Sequence, residues 1–470
     1  MTFSSPIFLF AFFPAVLLLY FLIPSKYLRA RNALLTVASL IFYGFGEPFA
    51  MLLMLIVVGI SWIFAGAVAA KPQGGLRKVL LFLGIAGDLG ILCVYKYADF
   101  VITSVNQLLH SEFQTLGLRL PIGISFFVFQ AISYVIDVYR KDAQPQKNYF
   151  RLLLYIAFFP QLIAGPIVQY QSIADALAAR RSTVEGVSAG LQRMIVGLSK
   201  KLLIADTVGQ IADTAFSSAA SHAMPLAWLG AICYTLQIYY DFSGYSDMAI
   251  GMGEIFGFAF PQNFDHPYIS ASVTEFWKRW HISLTTWFRQ YVYIPLGGNR
   301  KGKIRTVLNK WIVFFCTGLW HGASWNFVIW GLMNGAMMTA EQAITHGKPK
   351  KRAWYMHLYT MLFVVLAFVI FRADTLAQAG DMYAAMFGIS VQSASSTASY
   401  LQLLSPLVIT VMICGIVGAT PLPAKIVSVF REKSGAFGSV CMMGGAFVLL
   451  LLCMMNAAST TYHPFIYFRF

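Results

Sequence analysis

One histidine, His321, stands inside a long apolar run and is the first residue of this sequence that could do chemistry. It lies in the stretch CTGLWHGASWNFVIWG (316–331), and no Lys, Arg, Asp or Glu occurs from Trp311 to Ala340. An ionisable ring in such a setting costs several kcal/mol unless a partner satisfies it. Either the ring is a core histidine bonded to a backbone carbonyl, or it does chemistry. A neutral imidazole can take a proton from a hydroxyl, so His321 is a candidate general base.

Aromatic and amide side chains beside His321 are candidates for lining a substrate channel. They are Trp320, Trp325 and Asn326. Since His321 and Trp325 are four residues apart, we expect them to share a helix face. The ordinary alternative for the tryptophans is packing and anchoring at a membrane interface.

A second histidine follows a Trp- and Arg-rich stretch, TEFWKRWHISLTTWFRQYVYIPLGGNRKG (274–302). His281 lies four residues after Trp277, and Arg279 lies four residues after Glu275. The Glu–Arg spacing predicts an ion pair on a helix face rather than a catalytic acid. The LGGNRKG turn resembles a phosphate cradle only loosely, because the strand, helix and Lys-Ser/Thr context of a P-loop is missing. Trp277 and Arg279 are further candidates for a donor channel.

The third polar stretch is YYDFSGYSDMAIGMG (239–253). Its candidate channel residues are Asp241, Ser243, Tyr245 and Asp247. A calcium loop is excluded because the twelfth position counted from Asp241 is Met252 rather than Glu. A polar helix junction inside a bundle is the alternative to a site-lining role.

The histidines do not form a recognisable metal site. His281 and His321 lie forty residues apart, and neither has a carboxylate three or four residues after it. The spacing typical of zinc ligands is therefore missing, and we expect no metal.

The elements that position these residues are predicted to be membrane helices. The 470 residues are 58% hydrophobic and only 11% charged, whereas soluble proteins carry about 25% charged residues. Apolar runs of roughly 20 residues, enough to cross a bilayer, recur along the chain. We predict spans at about 6–24, 33–45, 49–69, 79–95, 121–138, 151–170, 225–240, 358–371, 401–421 and 436–456.

The run that contains His321 is too long for one simple span. As a straight helix, residues 311–340 would extend about 45 Å, which exceeds the hydrocarbon core. The sequence Gly322-Ala323-Ser324 at its centre predicts a break or a close approach of two helices. Such breaks persist at membrane depth only when they are buried in protein or line a cavity. Residues 241–310 are too polar to cross lipid alone and predict re-entrant or interfacial helices.

The net charge of +15 resides mainly in short loops between the apolar runs. The loops SKYLRARN (25–32), KPQGGLRK (71–78) and YRKDAQPQKNYFR (139–151) fit the positive-inside rule. These loops follow the first, third and fifth predicted spans. Placing them in the cytoplasm therefore predicts that the N-terminus lies outside it. The location of the basic residues in short loops between apolar runs also argues against nucleic acid as a partner.

Together, WHGASWNFVIWG, FWKRWHISLTTWFRQYVYIPLGGNRKG and YYDFSGYSDMAIG resemble motifs of the membrane-bound O-acyltransferases, in the bacterial branch that acetylates exported polysaccharides. The resemblance implies an all-α polytopic bundle of about 11 spanning helices plus re-entrant helices, formed by one domain (1–470), with a central funnel. It places His321 at the narrow point as a catalytic residue and His281 as a second one. For His281 three roles stay open: orienting the thioester, donating a hydrogen bond to a developing oxyanion, or shaping the cytoplasmic half of the site.

The same resemblance implies the substrates and the location. The donor is expected to be cytoplasmic acetyl-CoA, with no permanently bound cofactor. The acceptor is expected to be an exported polysaccharide of the alginate type, reached with extracytoplasmic partner proteins. The chain is then a multi-pass protein of the bacterial inner membrane.

Two alternatives stay open at this point. One keeps the family and changes the cargo to D-alanyl transfer onto teichoic acid, or to acetylation of cellulose or peptidoglycan. The other is a non-catalytic transporter, against which stands the lack of paired halves with matching broken helices.

Overall fold

A computed structural model describes residues 1–217, 223–345, 353–389, 403–459 and 465–466 of the chain. Over these residues the structure is helical, without β-strands, which confirms the all-α prediction. The α-helices are α1 Phe13–Leu22, α2 Leu28–Gly44, α3 Pro48–Ala70, α4 Gly75–Leu109, α5 Ile124–Arg140, α6 Tyr149–Ala157, α7 Phe159–Leu162, α8 Tyr170–Ala178, α9 Val184–Ser199, α10 Asp206–Ser217, α11 Met224–Ile255, α12 Val273–Arg279, α13 Ile282–Phe288, α14 Lys303–His321, α15 Trp325–Thr345, α16 Trp354–Arg372, α17 Leu376–Met386, α18 Pro406–Gly418 and α19 Leu422–Ser459.

Shorter helical turns complete this order. Within the described ranges, π-helical segments occur at Phe8–Phe12, Lys200–Ala205 and Arg289–Tyr293, and a 3₁₀ turn occurs at Pro267–Ile269. Helix α19 is kinked at Gly435, whose backbone has a positive φ of 50°.

The chain forms two compact units. The first consists of Met1–Met194 and Ser246–Pro261, and the second of Ile195–Tyr245 and Gln262–Phe470. Both predicted histidines lie in the second unit. Whether the chain acts as one functional domain stays a prediction.

The first unit is built around α3, α4 and α5, which pack against one another. Close packing is possible at Gly84 of α4, where an added Cβ would lie 2.9 Å from Cβ of Phe64. The carboxylate of Asp88 in α4 is fully buried and accepts a hydrogen bond of 2.7 Å from Ser61 of α3. These contacts make α3 and α4 a close-packed pair.

Among the described residues, four helices are long and apolar enough to cross a membrane by length and composition alone. They are Pro48–Ala70, Gly75–Leu109, Trp354–Arg372 and Phe437–Ser459. A fifth is added if Pro406–Gly418 and Leu422–Gly435, which are bent by 73°, count as one broken span. The prediction of about 11 spans is not confirmed by this criterion.

One predicted span is wrong. Residues 151–170 do not form a single helix, because α6 ends at Ala157 and the short α7 begins at Phe159. Phe158 between them is not helical, with φ −55° and ψ 113°. Pro160 lies in the first turn of α7, where its missing N–H is not needed, so the proline restarts a helix instead of continuing one.

Another span is longer than predicted. The apolar run 225–240 continues into the polar motif, so that α11 extends to Ile255. Asp241, Ser243, Tyr245 and Asp247 are therefore helical residues. The polar stretch is part of a helix rather than a separate re-entrant element.

The run 311–340 is broken where the sequence predicted. Helices α14 and α15 form an antiparallel hairpin around Gly322, Ala323 and Ser324. A Cβ on Gly318 would lie 2.3 Å from the carbonyl oxygen of Phe327, and one on Gly331 would lie 2.3 Å from that of Phe314. Both the break and the close helix approach are thus confirmed, and they place His321 at the end of α14.

Candidate active site

His321 is the last residue of α14 and is buried, with 3% of its surface exposed. Its Nδ1 lies 2.7 Å from the carbonyl oxygen of Thr317, one helical turn earlier. A carbonyl oxygen only accepts, so Nδ1 carries the proton and donates it. The lone pair of the neutral ring is then on Nε2. The bond to a backbone carbonyl does not conflict with chemistry, because it uses the other nitrogen.

Aromatic rings surround the imidazole of His321. The ring centroids of Trp320 and Trp330 each lie 4.9 Å away, and that of Phe371 lies 5.3 Å away. All three contacts are edge-to-face. The surroundings of His321 are therefore aromatic.

The predicted pairing of His321 with Trp325 is wrong. Because the helix breaks at Gly322 to Ser324, Trp325 begins α15 and does not share a face with His321. Half of Trp325 is exposed. Trp330, five residues further on, occupies the position against the imidazole instead.

His281 lies between α12 and α13 and is fully buried. Its backbone is left-handed, with φ 44° and ψ 56°. Its Nδ1 lies 3.1 Å from Oδ1 of Asn263, and its ring packs edge-on against Phe242 at 4.7 Å. Buried non-glycine residues in this conformation are held by their surroundings and occur preferentially at functional sites.

A shared aromatic residue connects the two histidines. Trp320 packs its ring 5.7 Å from that of His281 and 4.9 Å from that of His321. The structure therefore brings together two residues that are forty positions apart in the sequence.

A cavity of about 580 Å³ lies next to this pair within the second unit. Thr317, which accepts the hydrogen bond of His321, lines it, as do Trp277 and Phe314. Three cationic residues also line it, and two of them, Lys278 and Arg289, are exposed. The cavity therefore extends from the molecular surface to the last turn of α14. The third cation is Lys310, which is bonded to Gln342.

Trp277 lines the cavity and contacts one of the aromatic neighbours of His321. Its indole N–H donates a 3.0 Å hydrogen bond to Oδ1 of Asn334. Its ring contacts Phe314 at 5.2 Å and Trp330 at 5.7 Å. Trp330 in turn contacts His321, so Trp277 connects the cavity lining to the aromatic residues around His321.

The two remaining candidates from this region serve other contacts. Arg279 pairs with Glu275 at 3.0 Å, as its spacing predicted, and with Asp265 at 2.9 Å. Asn326 is buried and donates a 2.6 Å hydrogen bond to the carbonyl of Ala373. Neither lines the cavity, so their channel role stays a prediction.

The polar residues of α11 form a buried network outside the cavity. Asp241 lies 2.7 Å from Nζ of Lys201, which also lies 2.6 Å from Asp206. The second oxygen of Asp241 accepts a 2.8 Å hydrogen bond from the backbone of Ile466. This arrangement fits the polar helix junction, the alternative that the sequence left open.

The other α11 candidates divide between the two units. Tyr245 stacks on Phe465 at 4.6 Å, and Ser243 is buried. Asp247, in the first unit, pairs with Arg193 at 3.0 Å. Their predicted channel role is untested by these contacts.

Several residues of the site were missed by sequence reasoning. Thr317 could have been found, because an acceptor four residues before His321 follows from the helical repeat. Phe371 and Asn263 lie fifty and eighteen residues from the histidines that they contact, and no local pattern marks them.

The expectation that the site binds no metal stays a prediction. Among the residues that the structure describes, no group of three or more His, Cys, Asp or Glu could hold a metal ion. The chemistry available at the site is that of two imidazoles beside a partly cationic cavity.

The sequence model of the membrane-bound O-acyltransferase family matches residues 127–377, a segment that contains both histidines and the whole cavity lining. The chain belongs to this family. Membership in the membrane-bound O-acyltransferase family, together with the apolar helices, makes the chain a membrane protein and an O-acyltransferase.

Relatives of known name agree with this membership. The chain is 40% identical to the probable alginate O-acetylase of Pseudomonas putida over 100% of both chains. It is 35% identical to the peptidoglycan O-acetyltransferase of Helicobacter pylori, over 83% of this chain and 80% of that one. It is 29% identical to the teichoic acid D-alanyltransferase of Bacillus subtilis, over 46% of this chain and 58% of that one.

Proposed function

We propose that the chain transfers acetyl groups from acetyl-CoA for the O-acetylation of an exported polysaccharide, with alginate as the first candidate. The observation that carries the chemistry is the hydrogen bond from Nδ1 of His321 to Thr317, which puts the lone pair on Nε2. The similarity over both full lengths to a probable alginate O-acetylase supports the choice of acyl group and polymer.

In this mechanism Nε2 of His321 removes the proton from an acceptor hydroxyl. The hydroxyl oxygen attacks the thioester carbonyl, the C–S bond breaks, and an ester is formed. The leaving CoA thiolate takes up the proton held by the imidazolium. General base catalysis of this kind contributes about 10²- to 10⁴-fold, and holding both reactants beside the ring contributes the larger share.

The cavity is suited to the donor. CoA carries phosphates at the end remote from its thioester, and Lys278, Arg289 and Lys310 supply positive charge along the cavity wall. The cavity reaches the last turn of α14 at Thr317, so a donor extending along it would bring its acyl end towards His321. The donor is a substrate here and not a resident cofactor.

The aromatic rings around His321 favour a small acyl group. Trp320, Trp330 and Phe371 lie against the imidazole. A pocket built from rigid rings at these distances accommodates two carbons more readily than a long chain.

The location and topology that we propose follow the charge pattern and the family. The chain lies in the bacterial inner membrane with its N-terminus outside the cytoplasm, as the basic loops indicate. About 11 spans and a central funnel would let an acetyl group pass from the cytoplasmic donor to the outer side. Extracytoplasmic partner proteins would complete transfer to the polymer.

The proposal is tested by complementing a deletion strain with His321→Ala and measuring ester-linked acetate on the secreted polymer. We expect acetylation to be abolished while the protein remains in the membrane, as judged by immunoblot of membrane fractions. His357→Ala is the matched control, because Nδ1 of His357 also faces a backbone carbonyl, that of Ser270 at 3.2 Å, yet His357 does not line the cavity. Normal acetylation with His321→Ala would remove that residue from the reaction.

Peptidoglycan is the second candidate acceptor, favoured by the similarity to the Helicobacter pylori enzyme over four fifths of both chains. The same deletion strain decides between the polymers. Loss of acetate from the exopolysaccharide supports alginate-type acetylation, whereas loss from muramyl residues alone supports the cell wall.

A further inference from the structure

Residues 263–265, which precede α12, form backbone hydrogen bonds with the residues around His281. The backbone N–H of Ile282 donates to the carbonyl of Asn263 at 2.9 Å, and that of Asp265 donates to the carbonyl of Arg279 at 3.0 Å. Residues 263–265 therefore run alongside residues 279–282 and bracket His281. The pairing supports its left-handed backbone.

The side chain of Asn263 adds three contacts inside this bracket. Its Oδ1 lies 3.1 Å from Nδ1 of His281, 3.2 Å from the backbone nitrogen of Ser283 and 2.9 Å from Oγ of Ser283. Asn263 has 1% of its surface exposed and His281 none. Water therefore does not compete for these bonds.

The contacts fix which atoms carry protons. The backbone N–H of Ser283 can only donate, so the amide atom that faces it must be the oxygen and not the nitrogen. An amide oxygen only accepts, so Nδ1 of His281 must carry a proton. In the neutral ring the lone pair is then on Nε2.

We propose that Asn263 is a positioning residue that fixes the orientation and tautomer of His281, so that neutral His281 offers a hydrogen-bond acceptor at Nε2. This rests on the proposed function and on the expectation, from the family resemblance, that His281 is a second catalytic residue. The proposal argues against one possible role of His281, which is donation of a hydrogen bond to a developing oxyanion. A neutral ring with its lone pair on Nε2 does not donate to a developing oxyanion from that atom, so the oxyanion is stabilised by other groups.

The first test compares Asn263→Leu with Asn263→Asp in membrane vesicles supplied with labelled acetyl-CoA. Asn263→Leu removes the acceptor and should lower kcat about 10- to 100-fold, as loss of an orienting partner does for other histidines. The KM for acetyl-CoA should change little. Asn263→Asp keeps an oxygen for Nδ1 and for Ser283, so it should retain far more activity than the leucine variant.

The pH profile gives a readout that a purely structural role would not move. The carboxylate of Asn263→Asp favours the imidazolium form of His281, which has no lone pair on Nε2. The acid limb of the kcat profile should therefore move to higher pH, by about one unit. His321, the titratable neighbour of His281, is common to all variants, so its own titration does not produce a difference between them.

A double-mutant cycle separates this proposal from the proposed function. If Asn263 acts through His281, then Asn263→Leu should cause no further loss in a His281→Asn background. An inactive His281→Asn with a fully active Asn263→Leu and an unshifted profile for Asn263→Asp would overturn the positioning role alone. A fully active His281→Asn would instead remove His281 from the proposed function.

Ser283→Ala is the matched control for the loop. It deletes one donor to the same Oδ1 atom but leaves the bond from His281 in place. We expect a smaller loss of kcat than with Asn263→Leu and no shift of the pH profile. An equal loss would mean that Asn263 serves only to hold the loop.

Discussion

The two histidines of the site reach the same aromatic residue by different structural means. His321 ends a regular helix, and its Nδ1 is bonded to a carbonyl only four residues earlier. His281 lies in a left-handed turn, and its Nδ1 is bonded to a side chain eighteen residues earlier. One orientation is a property of a helix, and the other depends on tertiary structure.

This difference determines which substitutions can disturb the orientation of each histidine. The acceptor of His321 is a backbone atom, which no substitution at Thr317 removes. The acceptor of His281 is one side-chain oxygen, which a single substitution removes. We therefore expect the orientation of His321 to change only when the packing of α14 is disturbed. The orientation of His281 should change when the side-chain acceptor of Asn263 is removed.

The largest effect should come from the histidines themselves. His321→Gln should lower kcat for acetyl transfer about 10³-fold, because it removes the base. His281→Asn should lower it less, about 10- to 100-fold, because the base is still present. Single-turnover rates with labelled acetyl-CoA measure both, and a reversed order would assign the proton transfer to His281.

Packing of the α14–α15 hairpin should come next. Gly318→Val would place Cβ 2.3 Å from the carbonyl oxygen of Phe327, so the two helices must separate. We expect a loss of about 1–3 kcal/mol in stability, and displacement of His321 with about a 10- to 100-fold loss of kcat.

A thermal shift assay and the transfer rate measure the two effects of this change. Gly66→Ala in α3 is the control, since an added Cβ there would meet nothing within 4 Å. Equal effects at the two glycines would show that the hairpin does not position the base.

The aromatic wall beside His321 should govern the size of the acyl group. Trp330→Phe shortens a ring that lies 4.9 Å from the imidazole. We expect the propionyl-to-acetyl ratio of kcat/KM to rise about tenfold, as expected when room for a methylene is opened. Trp354→Phe, which changes a largely exposed ring, is the control. An unchanged ratio would place the acyl group elsewhere.

The cationic lining should give the smallest effect. Lys278→Ala should raise the KM for acetyl-CoA about threefold and weaken its dependence on salt, because an exposed charge contributes about 0–1 kcal/mol. The kcat should not change, since Lys278 has no part in the proposed proton transfer. Lys425→Ala, an exposed lysine outside the cavity, should leave KM unaltered.

Much of the fold could be predicted because membrane helices are encoded locally. Apolar length predicted the helices Pro48–Ala70 and Trp354–Arg372, and the glycine-containing triplet at 322–324 predicted the break after His321. The prediction for 151–170 is wrong because apolarity alone does not reveal the break at Phe158 before Pro160.

The site could be predicted only as far as local spacing extends. His321 was recognisable because no other His and no Lys, Arg, Asp or Glu occurs in residues 311–340. The prediction that Trp325 shares a face with His321 was wrong, because a spacing of four residues implies a shared face only within one helix. Asn263 and Phe371 were unpredictable, since their contacts with the histidines exist only after distant segments pack together.

The left-handed backbone at position 281 restricts which residues can replace the histidine. At its φ of 44°, the Cβ atom of most residues, and especially a branched Cβ, comes too close to the backbone. Asparagine, aspartate and glycine tolerate this region best, while valine and isoleucine are strongly disfavoured. The residues that position 281 can accept without backbone strain are therefore few, and most of them are polar.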